Sequence, residues 1–338
     1  MDREQEEMQF LGPFGIYTEA YKIIISWRKI FTKITLALIL PLSFIFLAHI
    51  KVSELLTSRI IHNEVELIDA QAGTQRYNKL SDLISSEQTT YWLFQLAYTI
   101  SLFIFSLLST SAVVYTIACI YTAREVTFKK VMSVVPKVWK RLMLTFLSTF
   151  LAFFAFTLVF LIILIIWTFL WAYTIGIRHI NTLVVISYII MIIYGVGFLY
   201  MTVVWHLANA VSVLEESYGF KAMVKSKNLI KGKMWVVIVV LLMLNISSFA
   251  IYKVFEKFVV HGGSLSLVYK VGFGILCLSL QSMLSLFGLI IQTIIYFVCK
   301  SYHHENIDKT ILSDHLDVYL GDYVPLKETD VQLGQFQV

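Results

Sequence analysis

The chain has 338 residues, of which 58% are hydrophobic and only 14% are charged, and its formal net charge is +5. Soluble globular domains carry about 25% charged residues, so this composition excludes a protein whose whole surface faces water. The three cysteines lie in apolar stretches and lack CxxC spacing, which excludes a disulfide framework and a cysteine metal site. Cys299, beside Lys300 at the end of the last apolar stretch, is a candidate for S-palmitoylation; a buried thiol is the alternative.

Six apolar stretches are long enough to cross a bilayer as helices. A hydrocarbon core about 30 Å thick requires about 20 mostly apolar helical residues, and each stretch reaches that length without an acidic residue. The predicted spans are Phe31–Ile50, Tyr91–Tyr121, Leu142–Tyr173, Val184–Leu214, Trp235–Phe255 and Val271–Lys300. The sequence therefore predicts an all-α, polytopic membrane bundle of six transmembrane helices within residues 31–300.

The basic residues are concentrated on one side of the predicted bundle. Of the 27 Lys and Arg residues, 19 lie in residues 1–33, in the loops after the second and fourth spans, or in the tail that begins at Lys300. Because cytosolic loops carry an excess of Lys and Arg, both termini are predicted to be cytosolic, in the plasma membrane or an endomembrane. Residues 1–30 are then a cytosolic amphipathic segment, and residues 301–338 a disordered, acidic cytosolic tail.

The segment 51–90 is predicted to face the lumen or the exterior. It is mixed in charge and contains neither a cysteine nor a glycosylation sequon. We expect a short helix near residues 52–62, followed by a flexible loop.

A basic segment with apolar residues at helical spacing precedes each odd-numbered span. In the first segment the apolar residues are Phe10, Phe14, Tyr17, Tyr21 and Ile24; in the second they are Phe128, Val131, Val135, Val138 and Leu142; in the third they are Phe220, Met223, Val224, Ile230 and Met234. Helical periodicity with Lys-rich flanks is typical of a helix that lies in the membrane interface. We therefore expect three basic amphipathic helices that bind an anionic cytosolic leaflet. The alternative is that these segments serve only to orient the spans.

No catalytic constellation is present. The sequence contains no phosphate-binding glycine loop, no nucleophile elbow, no paired-histidine zinc motif and no acidic pair within a span. We therefore expect a non-enzymatic protein without catalytic residues, cofactor or metal site, and no direct binding of nucleic acid.

Neutral polar residues form stripes at helical spacing in two of the spans. His206 and Asn209 lie in the fourth span, and Gln281, Ser285 and Gln292 lie in the sixth. Such residues let transmembrane helices pack closely and hydrogen-bond across their interface, and they can also line the path of a small or lipid-like substrate. Both interpretations, a packing surface and a substrate path, remain open.

The tail contains a short segment that looks like a docking peptide. In LDVYLGDYVP, Leu316 and Tyr323 are seven residues apart and Pro325 follows, a spacing that suits two side chains in separate pockets. The segment resembles the peptide that binds the MLLE domain of poly(A)-binding protein, from which Asp317, Leu320 and Tyr323 depart by replacing Asn, Ala and Phe. Residues 323–326 also resemble the Tyr-x-x-apolar sorting signal that clathrin adaptors bind.

Three blocks together carry a resemblance to a known family. They are FLG and YTEA within residues 10–20, SYGFKA at residues 217–222, and the tail from residue 314 to residue 338. They resemble a plant family of six-span membrane proteins of uncharacterised function, some of whose members are named for binding poly(A)-binding protein. The resemblance implies a fold and no established activity.

Two functional hypotheses follow. The leading one is a membrane-surface organiser or tether whose tail binds a cytosolic partner, either the MLLE domain or a clathrin adaptor. The alternative is a transporter or channel for a small or lipid-like substrate.

Overall fold

The computed structural model describes residues 5–71, 73–124, 126–174, 180–263 and 266–303, which contain helices and turns but no strand. In chain order the helices are α1 (Gln5–Met8), α2 (Pro13–Ser26), α3 (Arg28–Ile34), α4 (Leu40–Asp69), α5 (Gln75–Tyr121), α6 (Phe128–Thr174), α7 (Ile180–Leu214), α8 (Phe220–Leu229), α9 (Met234–Phe255) and α10 (Leu267–Tyr302). Within these residues, six helical stretches are long and apolar enough to cross a membrane: Arg28–Asp69, Gln75–Tyr121, Phe128–Leu170, Val184–Leu214, Met234–Val260 and Leu267–Tyr302. The predicted all-α membrane bundle with six spans is therefore confirmed.

The chain divides into two compact units. Unit 1 consists of the described residues of Met1–Ile23, Val114–Leu241 and Ile290–Val338, and unit 2 consists of those of Ile24–Val113 and Leu242–Leu289. Unit 1 thus contains α1, α6, α7 and α8 in full and most of α2, together with the end of α5, the start of α9 and the end of α10. Most residues of the three basic segments belong to unit 1.

Small and branched side chains form the core of unit 1. Val135 of α6 and Ala208 and Val211 of α7 are buried, and Tyr121 stacks on Phe297 with 4.7 Å between ring centroids. Small residues let helices approach closely, so this end of the spans is tightly packed. Further along α6 and α7, most of the large side chains are exposed, as expected of helices that face lipid.

In unit 2, a change of helical pitch accommodates a proline in the first span. Pro41 lies at the beginning of α4, and the five residues before α4, Thr35–Ile39, form a π-helix. A proline ring displaces the carbonyl group four residues earlier, here that of Ala37 inside the π-helical turn. The wider turn makes room for the ring, so the span continues without a break.

The prediction of a flexible loop after a short helix near residues 52–62 was wrong, because most of the segment 51–90 is helical. α4 continues to Asp69 and α5 begins at Gln75, so that two long helices are joined by a short turn. The Asn63 side-chain amide donates a 2.7 Å hydrogen bond to the Glu87 carboxylate, which links the two helices. The segment is polar, but it is rich in Leu, Glu, Gln, Lys and Arg, which are strong helix formers. The polar residues of this segment end the apolar stretch, but the helix continues through them.

The second basic segment is not a separate interface helix. α6 runs unbroken from Phe128 to Thr174, so this segment is the continuation of the third span. Its apolar stripe is covered by protein, since Val131, Val138 and Leu142 are each 0% exposed. Periodicity identifies an apolar face but does not identify what covers it. The first and third segments do contain separate helices, α2 and α8.

Candidate membrane-binding faces and polar cluster

Helix α2 has two apolar faces in different surroundings. Ile16 and Ala20 are fully buried, whereas Phe14 is 77% exposed and Tyr21 is 61% exposed. The Tyr17 hydroxyl donates a 3.1 Å hydrogen bond to the carbonyl oxygen of Val240 in α9, and burial raises the pKa of this phenol. One face of α2 is thus fixed to the protein, while aromatic rings extend from the other face.

Helix α8 has the same two-faced arrangement. Ala222 and Ser226 are fully buried, while Phe220 is 55% exposed and Val224 is 60% exposed. A shallow groove of about 420 Å³ runs along the exposed side. We call this side the α8 face; it is lined by Phe220, Lys221, Val224, Lys225 and Asn228. Apolar and basic side chains therefore share one surface.

The backbone at both ends of α8 is held in place by other helices of unit 1. Gly219, just before α8, has φ of +63°, and its N–H donates a 2.9 Å hydrogen bond to the Thr145 hydroxyl in α6. After α8, the His303 imidazole lies 3.0 Å from the carbonyl oxygens of Leu229 and Lys231. These contacts fix the orientation of the α8 face without using any of its side chains.

A partly buried carboxylate connects the end of α7 with α8 and α10. The Glu215 carboxylate lies 2.5 Å from the Lys225 ammonium and 3.2 Å from the Lys300 ammonium, and it accepts a 2.7 Å hydrogen bond from the Tyr296 hydroxyl. Burial raises the pKa of Glu215, but the two lysines and the phenol outweigh burial and leave the pKa below its ordinary value. Glu215 is therefore an ionised anchor among three helices.

Sequence reasoning did not identify the Glu215 cluster. Its partners Tyr296 and Lys300 lie 81 and 85 residues further along the chain, so no local pattern joins them. One signal was present: Glu215 is an acidic residue at the end of a span, next to a lysine-rich segment.

The predicted polar stripes are divided between the two units. In unit 1, His206 Nδ1 of α7 lies 3.4 Å from the side-chain oxygen of Gln292 in α10, and Asn209 is also buried. In unit 2, Gln281 hydrogen-bonds to the hydroxyl of Ser248, and Ser285 is half-buried.

Unit 1 contains a cluster of buried polar atoms that lack partners. Among the residues that the structure describes, no hydrogen-bond partner is present for Trp205 Nε1, Asn209 Oδ1 or Gln292 Nε2. An unsatisfied buried polar group costs about 1–3 kcal/mol, so these three side chains, which we call the polar cluster, lower the stability of the bundle as long as they remain unpaired.

The remaining predicted site residues are Cys299 and those of the tail motif. Cys299 is 0% exposed, which favours the interpretation as a buried thiol over the modification site. The tail motif, with Leu316, Leu320, Tyr323 and Pro325, lies outside the described residues.

Comparison with known protein families gives one match, which covers nearly the whole chain. A family model described as "Domain of unknown function (DUF8558)" matches residues 1–336. The chain belongs to the DUF8558 family. No curated protein and no solved structure matches the chain. This DUF8558 protein combines three features. They are the membrane-spanning bundle, the exposed faces of α2 and α8, and the polar cluster.

Proposed function

We propose that this DUF8558 chain is a non-enzymatic membrane protein that organises an anionic cytosolic membrane surface and tethers a partner through its tail. One observation carries the proposal. Outside the spans, α2 and α8 each have one side fixed to the protein and an exposed aromatic ring next to an exposed lysine, as in Tyr21 with Lys22 and Phe220 with Lys221.

Hydrophobic and electrostatic interactions both stabilise α2 and α8 at an anionic leaflet. An exposed phenylalanine beside a membrane span gains free energy when its ring enters the headgroup region, where aromatic residues are enriched. Each lysine near an anionic leaflet adds about 1 kcal/mol. Trp235, which is 76% exposed at the start of α9, adds a ring of the kind that favours the same level. These terms support a surface on which anionic lipids gather.

Topology is part of the same proposal. The lysine-rich segments of unit 1 support a cytosolic position for this surface, because cytosolic loops carry an excess of Lys and Arg. Both termini are then cytosolic, in the plasma membrane or an endomembrane, and the tail is available to cytosolic proteins.

The organiser role predicts a change in lipid distribution. We expect the protein, reconstituted in vesicles with fluorescent phosphatidylserine, to increase the self-quenching of that lipid. A variant with Phe14→Ser, Lys22→Gln, Phe220→Ser and Lys221→Gln is expected to lose most of the effect. Equal self-quenching with the wild-type and variant proteins would contradict the proposal.

The tether role concerns the tail peptide. We expect the full chain in detergent to bind an isolated MLLE domain saturably, and Tyr323→Phe, which restores the family pattern, to bind more tightly. Leu316→Ala is the matched loss-of-binding variant. Binding to a clathrin adaptor subunit instead, abolished by Tyr323→Ala and unchanged by Leu316→Ala, would replace the MLLE domain as the partner.

A transporter or channel is the second candidate function, and the polar cluster favours it. Unsatisfied polar groups inside a span are expensive and are characteristic of substrate paths. If a path exists, Asn209→Cys should react with membrane-impermeant thiol reagents, because the three native cysteines are buried and give little background. The control is Val204→Cys, at a buried apolar position of the same helix. Equal protection of the two engineered cysteines would leave only the packing interpretation.

A further inference from the structure

We propose that the α8 face is a binding site for one anionic phospholipid, with the phosphate between Lys221 and Lys225 and the upper acyl chains over Phe220 and Val224. This inference rests on the proposed function and makes it specific, because it replaces a general affinity for an anionic leaflet with one site of defined residues.

The α8 face has the shape of a shallow groove. Phe220, Lys221, Val224, Lys225 and Asn228 follow one another at helical spacings of one, three and four residues, so they line one side of α8. Their groove of about 420 Å³ is within the range of about 300–1,000 Å³ that small-molecule sites occupy. It is shallow and open, as a ligand that remains partly in the bilayer requires.

The side chains of α8 indicate the chemistry of the ligand. α8 carries three lysines and no acidic residue, so the ligand is an anion. A purely soluble anion would make no use of Phe220 and Val224, which are more than half exposed. A second copy of this basic face would repel the first. A molecule with a phosphate next to hydrocarbon satisfies both kinds of side chain.

Short segments connect α8 to the helices before and after it in the chain. Only five residues separate the end of α7 at Leu214 from Phe220, and only four separate Leu229 from the start of α9 at Met234. Because α7 and α9 both lie in predicted spans, such short connections keep α8 close to the membrane boundary. A phospholipid headgroup lies at that level without leaving its leaflet, whereas a soluble acidic peptide would have to reach it from the water.

The backbone of the α8 face is preorganised for binding. The backbone around α8 is already held by the Gly219–Thr145 hydrogen bond and by the His303 contacts with Leu229 and Lys231. A membrane-binding segment that folds only on binding must offset its ordering entropy. α8 avoids most of that cost, which allows a single lipid to bind with measurable affinity.

Lys225 is part of both the α8 face and the Glu215 cluster. If the Lys225 ammonium turns towards a lipid phosphate, Glu215 keeps the Lys300 ammonium and the Tyr296 hydroxyl as partners. The partly buried carboxylate therefore keeps two partners. Lipid binding and the attachment of α8 to α7 are coupled through this one side chain.

The test uses the purified full chain in an uncharged detergent. Thermal unfolding is measured while short-chain phosphatidylserine is added, and native mass spectrometry counts the bound lipids. We expect saturable stabilisation with one lipid bound. Phosphatidylcholine of the same chain length and inorganic phosphate are expected to stabilise much less.

Matched variants locate the site. Each lysine at a membrane surface contributes about a fivefold factor in binding, so Lys221→Gln and Lys225→Gln should raise the half-saturating lipid concentration by about that factor. Lys227→Gln is the control, because Lys227 is exposed on α8 outside the groove. Lys225→Arg keeps the charge, and it should retain lipid binding if Lys225→Gln unfolds the protein. Phe220→Ser should weaken binding of the lipid and leave the small effect of inorganic phosphate unchanged.

Several outcomes would overturn the site. These are equal stabilisation by inorganic phosphate or by a soluble acidic peptide, an equal effect of Lys227→Gln and Lys221→Gln, or no saturable binding at all. If saturable binding is absent while phosphatidylserine still self-quenches around the protein in vesicles, the single site is wrong and the organiser function stands. If both signals are absent, both proposals fail.

Discussion

The Tyr17 hydroxyl of α2 and the backbone carbonyl of Val240 in α9, separated by 223 residues in the chain, are joined by a 3.1 Å hydrogen bond. This contact holds the first basic helix against the fifth span and directs Phe14 and Tyr21 away from the protein. The exposed aromatic face of α2 is therefore bordered by a contact that attaches the helix to the fifth span.

Removing that contact is expected to loosen α2 without unfolding the bundle. Tyr17→Phe should lower the free energy of unfolding by about 1 kcal/mol, because one intramolecular hydrogen bond is lost. Hydrogen exchange in α2 should become faster. Tyr21→Phe is the control, since Tyr21 is 61% exposed on the same helix. Faster exchange in both variants would show that the Val240 contact is not what holds the helix.

Glu215 is expected to control stability at acidic pH. Its pKa in the folded protein lies below the ordinary value of 4.5, because Lys225, Lys300 and Tyr296 outweigh the effect of burial. A carboxyl group with a lowered pKa contributes stability that is present above its unfolded pKa and is lost as the pH falls through its folded pKa. Thermal unfolding in detergent should therefore show a loss of stability below about pH 4.5.

The variant Glu215→Gln should lack that pH dependence. At neutral pH it should be less stable by about 2–3 kcal/mol, since two partly buried lysines lose their counter-charge. Glu216→Gln is the matched control, because the neighbouring Glu216 is exposed. If both variants kept the acid transition of the wild type, Glu215 would not be its source.

Asn209 provides a stability test of the polar cluster. Its side-chain oxygen has no partner among the described residues, so Asn209→Leu should stabilise the protein in detergent by about 1 kcal/mol. Ser212→Ala is the contrasting variant, because the buried Ser212 hydroxyl donates a 2.9 Å hydrogen bond to the Asn209 carbonyl oxygen. That variant should be destabilised by about 1 kcal/mol. A loss of stability in Asn209→Leu would mean that the side chain has a partner in the membrane.

Gly219 is required by the backbone before α8. With φ of +63°, a residue that has a side chain is strained there, and an added Cβ would lie 3.3 Å from the Ser148 hydroxyl oxygen. Gly219→Ala should therefore cost about 1–2 kcal/mol. Gly272→Ala is the control, because Gly272 lies inside α10 with nothing within 4 Å of its added Cβ; it should stabilise the helix by about 1 kcal/mol. The same response at both positions would contradict the conformational argument.

The spans were predictable because hydropathy over about twenty residues reports the solvent of a helix. The environment of an amphipathic stripe was not predictable. Phe14 and Val135 belong to stripes with the same spacing, yet Phe14 is 77% exposed and Val135 is 2% exposed. Whether protein or lipid covers such a stripe depends on helices that are distant in sequence.

Partners that are distant in sequence also explain why parts of the candidate sites were missed. The His206–Gln292 pair was anticipated only as members of separate stripes, because each stripe lies on its own helix. The Glu215 cluster was not anticipated, because its residues come from α7, α8 and α10. Beyond the short helix expected near residues 52–62, the helices of the segment 51–90 were missed for a different reason: the sequence becomes polar at the membrane surface, whereas its helix propensity continues past that surface.

The continuation of α4 and α5 past the apolar part of the spans lengthens unit 2 beyond the residues that the bilayer requires. The 19 residues from Lys51 to Asp69, at 1.5 Å per residue, carry the chain about 28 Å further along the helix axis. Arg76 contacts Glu66 at 3.5 Å, which braces the tip of this hairpin. Within unit 2, the ends of the two helices at Asp69 and Gln75 therefore form a polar extension beyond the apolar residues of the predicted spans.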